Sequence, residues 1–327
     1  MRQMSFAQQA QFQRYAKKTR REQFLYEMDA MMPWSELLAL IAPVYPKGEK
    51  GRKPIRLEMM LRVYFLQQWF ALSDPGVEDA LYESPVLREF AGVDLGSAPA
   101  PDETTVLNFR HMLEKHALCG QMLDTVNHSL ESKGIKITTG TIVDATIIHA
   151  PSSTKNEKKQ RDPKMHQTRK GNQWFFGMKA HIGVDSKEGI VHSLCSTAAS
   201  VSDVHMLPDL LHGGEKKVLG DGGYQGQSAK ISEAAPSAQD MTCRRVKNAK
   251  GEVNEEEKRK NRTKSRVRAK VEWPFRIVKR VFGLVKVRYR GLKKNHEWLC
   301  AAFASANLYQ HRKRLARINQ QMALQGA

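Results

Sequence analysis

The spacing of apolar positions changes once along the chain, close to Gly134. Before that point apolar residues recur at helical intervals. Ile55, Met59, Val63, Leu66 and Phe70 form one stripe and predict a long helix after Pro54. Pro33 opens a helix to about Ala42, and a basic loop with Lys47, Lys50, Arg52 and Lys53 follows. Asp74-Pro75 and Ser84-Pro85 each read as a capping side chain before a first-turn proline. Further helices are predicted over 104–115 and 118–133, the second closed by Gly134. Such a series suits a helix-turn-helix-like DNA reader and a plain helical bundle equally well.

After Gly134 the Ile, Val and Thr content of 135–146 predicts a strand. Segments 179–185 and 190–197 read as a hairpin around the turn 186–189, and 217–220 as a short strand running into Asp221-Gly222-Gly223. Another strand is expected over 241–246, and a long helix from near Arg259. The pattern is an all-helical region followed by an α/β unit built on a mixed sheet. The expected division is 1–134 helical, 135–312 α/β with an insert at about 151–177, and 313–327 as a tail.

Composition narrows the function. With 41% hydrophobic and 27% charged residues the chain is that of a folded protein, not a disordered one. No apolar run reaches the roughly 18–20 residues a membrane helix needs, the longest candidate at 37–44 being broken by Pro43, and no secretory signal is expected. Cys119, Cys195, Cys243 and Cys300 are far apart, which argues against a zinc site and for reduced thiols. The formal charge of +19 is the outstanding feature and implies a polyanionic partner. A membrane-surface role needs a basic amphipathic helix or lipid anchor. Nucleic acid fits better.

The charge is concentrated. From Ser153 to His181 eight Lys or Arg face Glu157 and Asp162, beside Trp174, Phe175 and Phe176, aromatics suited either to stacking on bases or to a core. In 258–294, sixteen Lys or Arg accompany one acid, Glu272. Glu272 either pairs with Arg268 or Arg276 one helical turn away, or holds a metal ion beside a phosphate. Val267, Val271, Val278 and Phe282 form a stripe expected to face the sheet, with Arg268, Glu272 and Lys279 one residue later on a polar line and Pro274 marking an irregularity. Asp144 lies near the end of an apolar strand, where a carboxylate is expensive unless bonded or metal-bound. Asp221 precedes two glycines that admit a sharp turn and a bulky substrate. Two strand-end aspartates and a helix glutamate amid positive charge are what two-metal phosphoryl transfer requires. Asp203 suits a cap or a supporting position, Asp185 a hairpin turn, and 255–257 a solvated acidic face.

These residues belong to an ordered series: Val143-Asp144-Ala145-Thr146-Ile147-Ile148, Asp162-Pro163-Lys164-Met165-His166-Gln167-Thr168, Gly171-Asn172-Gln173-Trp174, Gly177-Met178-Lys179-Ala180-His181-Ile182-Gly183-Val184-Asp185, Asp221-Gly222-Gly223-Tyr224-Gln225-Gly226, then Val271-Glu272, Pro274-Phe275-Arg276 and Lys279-Arg280. The series resembles the DDE transposases of bacterial insertion sequences, specifically the insertion-sequence-five group, over nearly the whole chain. Thr104-Thr105 and Asn108-Phe109-Arg110 look like that family's helical domain, which implies DNA-end binding or assembly for 1–134.

The resemblance implies an RNase H-like catalytic domain with Asp144, Asp221 and Glu272 as the metal triad, holding two Mg²⁺ ions, with Mn²⁺ as a substitute. Arg268, Lys279, Arg276, Lys179, Lys170 and Trp174 are the expected DNA contacts. Of the family's Tyr, Arg, Glu and Lys signature around the glutamate, the Tyr step holds Ser265. The expected activity is binding of terminal inverted repeats, strand hydrolysis and joining of 3′-hydroxyl ends to target DNA. A nuclease that cuts without joining and a non-catalytic repressor remain the alternatives. The expected partners are double-stranded DNA and a second copy of the chain or more, in the bacterial cytoplasm with the nucleoid and with no membrane.

Overall fold

The computed structural model describes residues 17–48, 53–247 and 252–325, and seven α-helices precede its first strand. Helix α1 (Arg20–Met31) opens with a capping box, Thr19 and Glu22 each accepting from the other's backbone N–H at 3.1 and 3.2 Å. The sequence pattern missed it because Leu25, Met28 and Met31 are its only buried residues, amid polar neighbours. Helices α2 (Trp34–Ile41) and α3 (Leu57–Phe70) follow as predicted, although Lys50 and Arg52 of the basic loop lie outside the described residues. α3 is buried from Met60 to Trp69 apart from Arg62, so it is the central rod of the helical region. Helix α4 (Asp74–Glu83) is capped by Ser73, not by Asp74, whose carboxylate instead pairs with Arg110 at 2.8 Å. Helices α5 (Pro85–Ala91), α6 (Glu103–Lys115) and α7 (Leu118–Ser132) complete the region.

The sheet contains β1 (Gly140–His149), β2 (His166–Lys170), β3 (Gln173–Asp185), β4 (Val191–Ala198), β5 (Lys217–Leu219) and β6 (Gln239–Asp240). Its order is β2-β3-β1-β5-β6, with β4 paired to β3. β3 is antiparallel to β1, β2 and β4, whereas β1, β5 and β6 run parallel. Helix α8 (Ser228–Ala234) joins β5 to β6, and α9 (Glu255–Arg268), α10 (Glu272–Arg276) and α11 (Leu292–Gln325) follow. This is an RNase H-like mixed sheet behind a helical region.

Several boundaries differ from expectation. β1 starts at Gly140 because Thr138 is drawn aside, its N–H and hydroxyl both donating to Asp185. The insert is not a plain loop: β2 and the start of β3 form a hairpin turning at Gly171, whose φ of +61° suits glycine. The strand expected over 241–246 does not form, and the short β6 ends just before it, though the Met241 and Cys243 N–H groups still donate to Val218 and Gly220. α9 begins at the acidic run itself, where Asn254 caps and three glutamates complement the helix N-terminus.

Strand alternation divides the sheet into two apolar faces. Ile142, Ile148, Met178, Ala180, Ile182 and Val184 join a core that also holds α7, α11 and the helical region, while Val143, Val218, Leu207, Leu210, Tyr224 and Ile231 form a second cluster. α11 continues through 313–325 and carries buried Ala301, Ala302, Ala304 and Ala306. Among the described residues no helix is long and apolar enough to cross a membrane.

A buried amide clasp holds α7, α11 and β4 together. Asn307 accepts from Val191 N–H at 2.9 Å and donates to the Val191 carbonyl and to Asn127, both at 2.8 Å, while Asn127 donates to the same carbonyl at 3.0 Å. Asn307→Leu keeps the volume but leaves the Val191 N–H and the Asn127 carbonyl unsatisfied. Unfolding in urea should show a loss of about 3 kcal/mol, and an unchanged midpoint would dismiss the clasp.

Candidate active site

Parallel pairing sets Ile142 of β1 beside Leu219 of β5. Counting on two residues along each chain brings out Asp144 and Asp221 on the same face, just past the end of the parallel pairing. Asp221 follows β5, whereas Asp144, expected near a strand end, lies mid-strand because β1 runs on against β3 to His149. Open α/β sheets place their ligand crevices beyond the carboxyl ends of parallel strands. Asp144 accepts from the Ala145 N–H at 2.8 Å, and Arg268 Nη2 stands 3.9 Å from its other oxygen. Asp221 caps a short 3-10 turn, Gly222–Tyr224, by accepting from Gly223 N–H at 2.8 Å. A Cβ at Gly223 would lie 2.9 Å from that carboxylate oxygen, whereas one at Gly222 would meet nothing nearer than 4.0 Å. Only Gly222 therefore fits the predicted role of leaving room for a substrate.

Glu272 comes from the irregular helical stretch. α9 ends at Arg268, a 3-10 turn covers Ala269–Val271, and α10 passes through Pro274 into a wide turn at Ile277–Val281. Val271, Phe275, Val278 and Phe282 are buried against the sheet core, while Val267 is only partly so. Glu272 itself is exposed and makes no ion pair among the described residues. Arg268 turns to Asp144, and Arg276 lies over Trp273 at 5.8 Å. The pairing with either arginine, one of the two readings of this residue, is not what the chain adopts.

Asp144, Asp221 and Glu272 line one cleft of about 360 Å³, together with Lys170, Arg268, Arg276, Lys279 and Arg280. Burial pushes the Asp144 carboxyl up to about 6. The Ala145 N–H and Arg268 oppose that rise, and Asp221 and Glu272 add to it. Lys279 is pushed down, first by burial and then by Lys170, with Glu272 opposing. Its ammonium is held by Thr146 Oγ1 at 2.6 Å and the Ile147 carbonyl at 2.9 Å. Among the described residues no three His, Cys, Asp or Glu side chains close around a common point as ion ligands. The three carboxylates instead border the cleft, an all-oxygen set suited in kind to a hard dication.

The other expected contacts separate. Lys170 reaches the cleft from the β2–β3 hairpin, and Trp174, 64% exposed, stands on that hairpin opposite Arg169. Phe176 packs on the core and Phe175 against His149. Lys179 shares no part of the cleft. It pairs with Asp203 at 2.9 Å and donates to the Val201 carbonyl at 2.8 Å. Alternation explains this, since Met178 and Ala180 on either side of it face the main core. Asp185 is a turn anchor, accepting from Lys187 and Glu188 N–H groups as well as from Thr138. Arg280, quoted with Lys279 in the series but not counted among the expected DNA contacts, also stands on the cleft wall.

A family model described as Transposase DDE domain matches residues 136–308, and one described as Transposase domain (DUF772) matches 12–112. The chain belongs to the DDE transposase family. The match over 136–308 spans β1 to α11 and so contains all three cleft carboxylates. As an insertion-sequence transposase the protein acts on DNA, and its family generally uses divalent metal ions.

The raised Asp144 value gives the transposase a pH signature. Between its ordinary value of 3.8 and about 6 the folded state keeps a proton that the unfolded chain has released. The group's contribution is thus fully present below about pH 4 and lost as pH rises through about 6. Asp144→Asn should stabilise the ion-free protein at about pH 8 by up to roughly 3 kcal/mol and barely at all at about pH 4. Equal melting temperatures of the two proteins at the higher pH would show that the site does not strain this carboxylate.

Proposed function

We propose that this transposase binds terminal inverted repeats, cleaves DNA strands by two-metal-ion hydrolysis and joins the resulting 3′-hydroxyls to target DNA. The observation that supports the reading best is the convergence of Asp144, Asp221 and Glu272 on one cleft walled by five cations. In this reading the three carboxylates hold the ions, Mg²⁺ with Mn²⁺ as a substitute, in a paired complex of chains of the insertion-sequence-five type. When bound, the ions supply Lewis acidity at the scissile phosphate and an activated water or hydroxyl.

The chain's own groups have separable tasks. Asp144 is costly to ionise in the ion-free site, so a dication relieves its burial and its repulsion from Asp221 and Glu272. Arg268, beside Asp144, offers a planar guanidinium to a phosphate oxygen. Lys279 is fixed by its two bonds to β1 and acts as a positioned charge on the cleft wall. Arg276, exposed, contributes to phosphate attraction from the rim. Trp174 and Lys170 bring the hairpin to the DNA, the indole for base stacking and the ammonium for phosphate. Water and then a DNA hydroxyl serve as nucleophiles, so no covalent link to the protein forms.

Asp221→Ala should abolish Mg²⁺-dependent nicking of an end-bearing fragment while gel-shift binding of that fragment persists; nicking that survives removes the cleft from the mechanism. Joining of pre-nicked ends to a plasmid separates a transposase from a nuclease that only cuts. Arg276→Ala should weaken binding uniformly across DNA sequences and reduce the salt slope of the affinity by about 1. A change in which bases are preferred would instead make Arg276 a sequence reader.

A further inference from the structure

On the other side of the sheet a polar group lies directly beneath the cleft. Tyr224 closes the turn that Asp221 caps, and it is 1% exposed. Its side chain crowds Gly220, where a Cβ would stand 3.0 Å from Tyr224 Cδ2, and it packs in one cluster with Val143, Val218, Leu207 and Leu210. Those contacts fix the ring and hence the direction of the hydroxyl. That hydroxyl is buried with no hydrogen-bond partner among the described residues.

The neighbouring turn carries an acceptor, Asp203. The turn Asp203–His205 packs against the turn Gly222–Tyr224. Asp203 is anchored there by Lys179 at 2.9 Å, with the buried His181 ring nitrogen at 3.6 Å. Burial first, then Asp203, Asp144 and Asp221, push the Tyr224 phenol well above its ordinary value, against the pull of Arg268. A neutral phenol carries one donor, and carboxylates supply only acceptors. Leaving that donor unmade in a buried site costs about 1–3 kcal/mol.

We propose that Tyr224 is a positioning residue: its hydroxyl, without a partner among the described residues of the ion-free protein, donates to the Asp203 carboxylate on the neighbouring turn when the cleft takes up its ions, and the Lys179–Asp203 pair braces it from below. The brace ties the orientation of the Asp221 turn to the far face of the sheet. It also gives Lys179 a use that does not require contact with DNA. The inference rests on the reading of Asp144 and Asp221 as ion ligands.

Tyr224→Phe keeps the ring and its packing and removes only the hydroxyl. In the full chain it should leave end-fragment binding unchanged and raise the Mg²⁺ needed for half-maximal nicking by about 10–100-fold. The rise in melting temperature caused by Mn²⁺, read without DNA, should shift to correspondingly higher ion concentration. Asp203→Asn should move both readouts the same way, and the double variant should be no worse than the poorer single one, because the two act as one unit. Ion requirement and ion-induced melting shift equal to those of the unaltered protein would overturn the proposal. If the unaltered protein itself shows neither nicking nor an ion-induced shift, the reading of the cleft falls and this inference with it.

Discussion

The site depends on a short stretch of parallel pairing. β1 and β5 meet over Gly140 to Ile142 and Lys217 to Leu219, and this register alone brings Asp144 and Asp221 out together. A slip of one residue on either strand would send one aspartate to the opposite face. Three paired positions are little on their own. The register is held by what flanks it: β6 on the outer side, β3 along the whole of β1, and apolar residues buried on both faces. Parallel strands buried on both sides tolerate few polar residues, so the carboxylates appear only past the parallel segment, Asp221 after β5 and Asp144 where β1 is paired to β3 alone.

That placement has an electrostatic consequence. Burial works against ionisation of the Asp144 carboxyl, and the neighbouring Asp221 and Glu272 add to that. The surrounding cations offset this only in part. Lys279 spends its donors on β1, and Arg268 remains 3.9 Å from Asp144. A carboxylate left costly to ionise in a cleft is the kind of perturbed group that gathers at functional sites.

How far this was legible in the sequence varies by residue. Glu272 stood out as a lone acid within a dense basic tract, a signal that suited pairing with Arg268 or Arg276 as well as it suited an ion. The stripe beneath it was readable from helical spacing, as buried Val271, Val278 and Phe282 bear out. Asp144 and Asp221 were separately plausible, but their adjacency is a property of register, which no local pattern carries. Lys179 shows the complementary limit. It lies within a motif of the series and bears the right charge, yet strand parity turns it to the far face, and parity depends on where pairing starts. Trp174 and Phe176 share a face of β3, so parity does not part them: Phe176 packs on the core, whereas Trp174 lies two residues nearer the hairpin tip and is exposed. Helix α1 escaped notice because its apolar face is only three buried residues wide.

The last helix decides how the two regions relate. α11 presents small buried side chains, which let it approach α7 and β4 closely enough for Asn307 to reach both. Farther along, Glu297 accepts from Cys119 N–H at the start of α7. On the opposite side Arg110 of α6 binds Asp74 and Glu114 and lies 4.0 Å from the Tyr289 ring, just before α11. These are buried polar links, and each has a fixed geometry where apolar contact alone would permit sliding. Together with a core cluster that runs from Leu25 to Leu315, they leave no plane along which the helical region could swing free of the sheet. The spacing between the helical region and the cleft thus follows from packing.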